Sequence, residues 1–239
     1  MRIDIVIPSK GRTGKLAKCL SSVLSQVLGE RISGLSIIVY MDTEEEISNY
    51  KNLCPEPILA SDYFDFRIIP FPYTAPKLWN YHLKNMTADG MMYLSDDVEL
   101  LPGCIKQARM HYLLMYPRYD GVVGITQANL EGKFDTAPAA FGLIGRAFAD
   151  KFPNRAAFCP DYKHLYIDRE LEMYARSIDK FWFSIAALTH HHPCTGREFS
   201  DDTHTNIRRF KAGDKATWDE RRRRNLLWGV SFEHVNRGA

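Results

Sequence analysis

Met91-Met92-Tyr93-Leu94-Ser95-Asp96-Asp97-Val98-Glu99-Leu100-Leu101-Pro102-Gly103 is an apolar run that stops at two adjacent carboxylates and is followed by a Pro-Gly break. Such a run reads as a buried strand whose C-terminal end presents acids at a sheet edge, where α/β proteins place ligands. Adjacent carboxylates repel unless something positive lies between them. Oxygen ligands of this kind suit Mg²⁺ or Mn²⁺, ions that also hold diphosphates, so the stretch predicts a metal-bound phosphoester. The same aspartates also suit a simple cap on the helix that follows.

Upstream, Ile3 to Pro8 reads as a first strand, Ser9 to Gly14 as a polar loop, and Lys15 to Leu28 as a helix with Leu16, Cys19, Leu20, Val23, Leu24 and Val27 on one face. Leu35 to Met41 is a second strand ending at Asp42, Phe66 to Pro70 a third, and Pro76 to Asn85 a helix with Pro in its first turn. Downstream, Leu101 to Tyr116 reads as a helix and Gly121 to Thr126 as a strand. Alternation of strands and helices predicts an α/β fold with a mainly parallel twisted sheet flanked by helices. The second half is less regular. It shows a helical pattern at Ala140 to Phe152, a helix at Asp168 to Ser177 and a strand at Phe181 to Leu188 running into Thr189-His190-His191-His192-Pro193. A boundary near Leu130 divides residues 1–130 from 131–239, two halves expected to share one core.

The chain has 239 residues and a formal net charge of +2, too small to demand a polyanionic partner. Its five cysteines, Cys19, Cys54, Cys104, Cys159 and Cys194, lack C-x-x-C spacing and suggest neither a disulfide framework nor a zinc site. With no apolar stretch long enough to span a bilayer and no signal-peptide pattern, a cytoplasmic location is expected. Basic residues cluster at Arg208-Arg209 and Arg221 to Arg224.

Several constellations carry chemistry. The Ser9 to Gly14 loop suits phosphate but matches neither the P-loop nor the dinucleotide spacing, and a plain turn explains it equally. Asp42 is placed to accept hydrogen bonds from a nucleobase or ribose, or to cap the helix containing Glu44 to Ile47. Lys77 and Asn80, with Trp79 between them, offer a cation and an amide just before the acid strand. Strand alternation sends His190 and His192 to one face and His191 to the other, a source of a third metal ligand beside the aspartates. Asp168 and Glu170 open a helix where the macrodipole favours acids, and either would serve as a general base.

Together these residues resemble family 2 GT-A type glycosyltransferases over most of the chain. Ile5-Val6-Ile7-Pro8-Ser9-Lys10-Gly11-Arg12 is similar to that family's opening strand and loop, Asp42 to its base-contacting acid, and Lys77-Leu78-Trp79-Asn80 to its segment before the metal motif. Ser95-Asp96-Asp97 resembles the D-x-D motif, with Ser95 in place of the first Asp. The resemblance implies that Asp97 is the principal metal ligand and Asp96 its helper. Ile167-Asp168-Arg169-Glu170-Leu171 resembles the E-D-x-[DE]-L segment, with Ile167 replacing the Glu, which leaves the base open between Asp168 and Glu170. The histidine run resembles the C-terminal His that completes the metal site, here His192 or His190.

The resemblance implies a GT-A fold whose first half, 1–130, binds the nucleotide sugar, and whose smaller, irregular second half, 131–239, binds the acceptor. Donor contacts fall on Pro8, Ser9, Lys10, Arg12, Asp42, Lys77, Asn80 and Asp96. The implied reaction is Mn²⁺- or Mg²⁺-dependent transfer of a sugar, most often from a UDP-sugar, to a hydroxyl with inversion. A saccharide is one expected acceptor. The arginine clusters with Trp218 and Trp228 also suit DNA bearing a hydroxymethylated base, and a compact transferase of this kind resembles enzymes of viral genomes. Two other classes remain: a nucleotidyltransferase that makes the sugar nucleotide, although the longer Gly-rich loop is absent, and a non-catalytic polyanion-binding module.

Overall fold

The computed structural model describes residues 1–29, 32–53, 63–69, 73–128, 134–135, 139–191, 205, 208–228 and 230–231. Strand β1 (Ile3–Pro8) leads through a short loop into helix α1 (Thr13–Gly29), then β2 (Leu35–Met41), α2 (Glu44–Leu53) and β3 (Phe64–Ile68). Helix α3 (Ala75–Asn85) precedes β4 (Gly90–Tyr93) and a three-residue strand β5 (Val98–Leu100). Then come α4 (Cys104–Met115), β6 (Val122–Ala128), β7 (Phe134–Asp135), β8 (Gly142–Gly145) and the one-turn α5 (Arg146–Ala149). The chain continues with α6 (Ile167–Ser177), β9 (Phe181–His190), α7 (Lys211–Arg223), β10 (Leu226–Leu227) and β11 (Val230–Ser231).

The main sheet has the order β3-β2-β1-β4-β8-β6-β9-β5, with β7 paired to β6. It is parallel from β3 through β4 and mixed beyond, because β8 runs antiparallel to both β4 and β6 while β9 is parallel to β6. Strand β1 lies between β2 and β4, so the loops after β1, β2 and β4 leave from one edge. That edge is where a crevice opens in doubly wound sheets.

Alternation along β1 sets the two faces. Ile3, Ile5 and Ile7 face α1, where Leu16, Cys19, Leu20, Val23, Leu24 and Val27 are buried as the helical spacing predicts. Val6 faces the other way, toward Leu78, Trp79 and Leu83 of α3 and Ile167, Leu171 and Tyr174 of α6. Each fully buried Leu, Val or Ile contributes about 2 kcal/mol of transfer free energy. Both clusters draw on residues before and after Leu130.

Two expectations need correction. Residues 140–152 are not one helix: Gly142–Gly145 is a strand inside the sheet, followed by the single turn Arg146–Ala149. A strand buried on both faces is apolar throughout, so no period separates it from a helix. Glycine is required there, since a Cβ on Gly142 would stand 2.6 Å from the Val123 carbonyl oxygen and 2.8 Å from Tyr93 Oη. The second correction lies after the acids, where the expected helix starts only at Cys104, preceded by Gly103 at φ 78. Val98–Leu100 instead adds a strand against β9. Among the described residues no helix is long and apolar enough to cross a membrane. Cys19, Cys104 and Cys159 are buried thiols in no disulfide among the described residues, while Cys54 and Cys194 lie outside the described residues.

Gly142→Ala is expected to lower stability by about 2 kcal/mol through overpacking between β4 and β6. Urea denaturation checks this, and an unshifted midpoint would contradict the close packing described.

Candidate active site

The acid pair lies in the loop Leu94–Asp97 at the end of β4, held to the sheet by Leu94 N–H donating to the Val6 carbonyl at 3.1 Å. Asp96 and Asp97 are 2% and 4% exposed. The positive group expected between them is a guanidinium. Arg12 donates from Nη1 to Asp96 Oδ1 at 2.8 Å and from Nη2 to Asp97 Oδ2 at 2.9 Å. The loop Ser9–Arg12 makes this reach, and Ser9 Oγ adds a bond to Asp96 Oδ2 at 2.9 Å. Both Asp96 oxygens therefore have partners within the fold, which makes Asp96 a support for its neighbour. Burial pushes the Asp96 carboxyl up to about 7, with the Arg12 charge opposing the rise and Asp97 adding to it. Ser95 Oγ donates to Asp97 Oδ1.

The histidines arrive through the short strand β5. Val98 pairs with His190 in the antiparallel β5–β9 ladder, so the residue before Val98 lies beside the end of β9. His191 N–H donates to the Asp97 carbonyl at 2.8 Å and closes that junction. His190 Nε2 stands 3.5 Å from Asp97 Oδ1, while Nδ1 is 3.1 Å from Gln127 Oε1 on β6. The Phe141 ring meets the imidazole edge-on at 4.9 Å. His191 turns aside toward Glu99, 3.4 Å away, as alternation predicts. His192 lies outside the described residues. Asp97 and His190 thus form a two-residue corner, and no group of three metal-ligating side chains occurs among the described residues.

On the other side of β1, Asp42 Oδ2 pairs with Lys10, and Asp42 Oδ1 is buried with no hydrogen-bond partner among the described residues. Sequence reasoning missed Glu46. Its carboxylate accepts from Gly11 N–H at 2.7 Å and Asp42 N–H at 2.9 Å, tying the first two loops together. The signal was present as Thr43-x-x-Glu46, in which Thr43 Oγ1 accepts from Glu46 N–H at 3.1 Å in the manner of a capping box. Tyr73 was also missed; its hydroxyl donates to the Ser9 carbonyl at 3.2 Å. Pro8 ends β1 at the foot of this crevice.

Most of the remaining candidates have partners of their own. Asn80 spends its amide on Phe158, donating to the carbonyl at 2.6 Å and accepting the N–H at 3.0 Å, so it fixes a loop. Lys77 is exposed in the first turn of α3. Trp79 is packed between Tyr93 and Phe158. Glu170 is 1% exposed and takes Arg221 Nε at 2.9 Å, Arg221 Nη2 at 2.5 Å and Tyr162 Oη at 2.6 Å, which leaves it no room to act as a base. Asp168 is half-buried, and burial raises its carboxyl above the usual range. Its charge and that of Glu172 bear on Tyr93, the last residue of β4, so α6 flanks the end of the acid strand. Within the basic run, Arg221 is held by Glu170 and Asp161, and Arg223 by Glu220. Neither presents an unpaired guanidinium for phosphate.

No protein-family model and no curated protein matches this chain. Solved structures of S. aureus TarS do match by fold. The TarS 1–349 complex with UDP-GlcNAc gives a TM-score of 0.54 at 13% identity over 79% of this chain and 56% of that one. The 1–349 complex with UDP gives 0.51 at 13% identity over 79% and 57%, and a further TarS structure 0.51 at 13% identity over 79% and 35%. This chain spans less than two thirds of each. The likeness is one of fold, and the fold is of the GT-A type.

With the Asp96 carboxyl raised to about 7, the metal-free folded state binds a proton that the unfolded state has lost between about pH 4 and about pH 7. Stability contributed by this group therefore falls as pH rises through that window. Asp96→Asn removes the slope. Urea midpoints of metal-free protein at pH 5 and pH 8 are expected to converge in the variant, and an unchanged difference would contradict the assignment.

Proposed function

We propose that this chain transfers a sugar from a UDP-sugar to an acceptor hydroxyl, assisted by Mn²⁺ or Mg²⁺. The observation that carries the reading is the corner of Asp97 Oδ1 and His190 Nε2, 3.5 Å apart at the C-terminal edge of the parallel strands. Such a separation suits neighbouring ligands on one octahedral ion, and ions of this class complete their shell with phosphate oxygens and water. Gln127 contacts the far nitrogen of His190, the kind of outer partner that fixes which ring nitrogen meets a metal. Held by Asp97 and His190, such an ion would supply positive charge to a departing diphosphate. Of the two histidines expected to complete the site, we assign His190.

The protein's own groups do the remaining work. Arg12 and Ser9 hold the acids in place, so Asp97 keeps Oδ1 toward His190. Asp42 Oδ1, buried and an acceptor only, fits a donor N–H or O–H of the nucleoside. The donor half is 1–130 and the acceptor half 131–239. Asp168, made more basic by burial, takes the proton of the incoming hydroxyl as its oxygen attacks the anomeric carbon. The bond to the diphosphate breaks with its electron pair leaving on UDP, and a single base opposite the leaving group gives inversion. TarS, solved with UDP and with UDP-GlcNAc on the same fold, supports the donor class. A saccharide acceptor is favoured over DNA because Arg221 and Arg223 are held by acids.

Incubation with UDP-sugars, Mn²⁺ and an acceptor panel is expected to release UDP, and EDTA to stop the release. Asp97→Asn is expected to lose both turnover and the metal-dependent rise in melting temperature with UDP. Release of pyrophosphate when UTP and a sugar 1-phosphate are supplied in place of the UDP-sugar would identify a nucleotidyltransferase, and no stabilisation by any nucleoside diphosphate would overturn the reading. Asp168→Asn is expected to cut turnover about a hundredfold or more while UDP still stabilises the protein. Full activity in that variant would remove Asp168 as the base.

A further inference from the structure

The basic C-terminal run carries a second pattern. Asp214, Trp218 and Arg221 recur at i, i+4 and i+7 along α7 and so share one face. Asp214, 2% exposed, accepts the backbone N–H groups of Lys163, His164 and Leu165 at 2.8, 2.8 and 2.7 Å. Trp218 stacks on Tyr166 with centroids 5.8 Å apart and planes 21° from parallel. Arg221 holds Glu170 through Nε and Nη2 and Asp161 through Nη1 at 2.7 Å, and Tyr162 Oη closes on the same Glu170. All of these contacts fall within residues 161–170, the segment that delivers Asp168.

That segment needs holding. It is irregular until Ile167, and Tyr166 enters the helix at φ 66, a left-handed conformation that a bulky side chain keeps only where its surroundings fix it. Three N–H groups converging on one buried carboxylate, and a two-pronged guanidinium on another, are charge-assisted contacts with defined direction. A face made only to be covered would be apolar; this one is built of directional bonds aimed at a single loop.

We infer that α7 is a clamp, and that Asp214, Trp218 and Arg221 are positioning residues that set Asp168 against the acceptor hydroxyl. The inference rests on Asp168 being the base, as proposed above. Among the described residues no contact joins any of the three to Ser9, Arg12, Asp42, Asp97 or His190, so their loss is expected to act on the proton-transfer step and not on donor binding.

The test uses the full chain. Asp214→Asn replaces one acceptor oxygen by a donor facing N–H groups, and Arg221→Lys removes the fork. Each is expected to lower kcat about tenfold or more, with KM for the UDP-sugar within twofold and the melting shift with UDP unchanged. Trp218→Phe, which keeps a ring against Tyr166, is expected to retain most of the turnover that Trp218→Ala loses, and these two serve if Asp214→Asn does not fold. Hydrogen exchange reports the clamp directly: amides 163–168 are expected to exchange faster in Asp214→Asn, with β1 and β4 unchanged. Unaltered kcat in all variants, or a parallel loss of donor binding and of protection across the sheet, would overturn the inference. If Asp168→Asn itself turns over normally, the base assignment fails, and the exchange data then show separately whether α7 holds the loop.

Discussion

Two carboxylates side by side in a nearly dry loop repel each other and lose their hydration, a cost of several kcal/mol per ion unless a partner is supplied. Here one guanidinium supplies it to both. Arg12 is planar and offers two parallel N–H directions, so a single side chain 11% exposed reaches Asp96 with one prong and Asp97 with the other. Because Arg12 follows β1 and the acids follow β4, the same contact fixes the relative position of the two loops that frame the crevice. It also divides the oxygens of Asp97: Oδ2 is spent on Arg12, and Oδ1 turns toward His190.

The rest of the site follows from strand register. Parallel pairing of β1 with β2 and β4 brings Ser9, Asp42 and the acid loop to one edge. The short ladder between β5 and β9 then sets His190 across from Val98, beside Asp97, although the two residues are far apart along the chain. Glu46 links the first and second loops by accepting from Gly11 and Asp42. These polar contacts lie at the ends of strands packed on both faces, so small adjustments at the crevice meet a stiff support. Residues 161–170 take their support from α7 by way of Asp214 and Arg221.

Much of this was legible in the residues alone. The first strand, loop and helix, the acid-tipped strand, the helix carrying Asp168 and the strand running into the histidines are all present, because each is amphipathic or bounded by turn residues. Strand β8 was not legible, since a doubly buried strand shows no period. Partnerships over long separations were also hidden. Arg12 lies 84 residues from Asp96, and Arg221 51 from Glu170, and no local spacing rule connects them. That explains why neither the guanidinium spanning the acids nor the Arg221 and Tyr162 bonds to Glu170 could be read from the sequence. The Asn80 bond to Phe158 was hidden for the same reason, its partner lying 78 residues on.

The central claim is that Asp97 Oδ1 and His190 Nε2 meet one divalent ion while Arg12 stays on the acid pair. Anomalous diffraction at the manganese edge, from crystals grown with UDP and Mn²⁺, tests it most directly. The account predicts one Mn²⁺ within about 2.2 Å of both atoms, with diphosphate oxygens completing its shell and Arg12 still bridging Asp96 and Asp97. Manganese bound elsewhere, or UDP seated in the crevice with no ion at that corner, would contradict it.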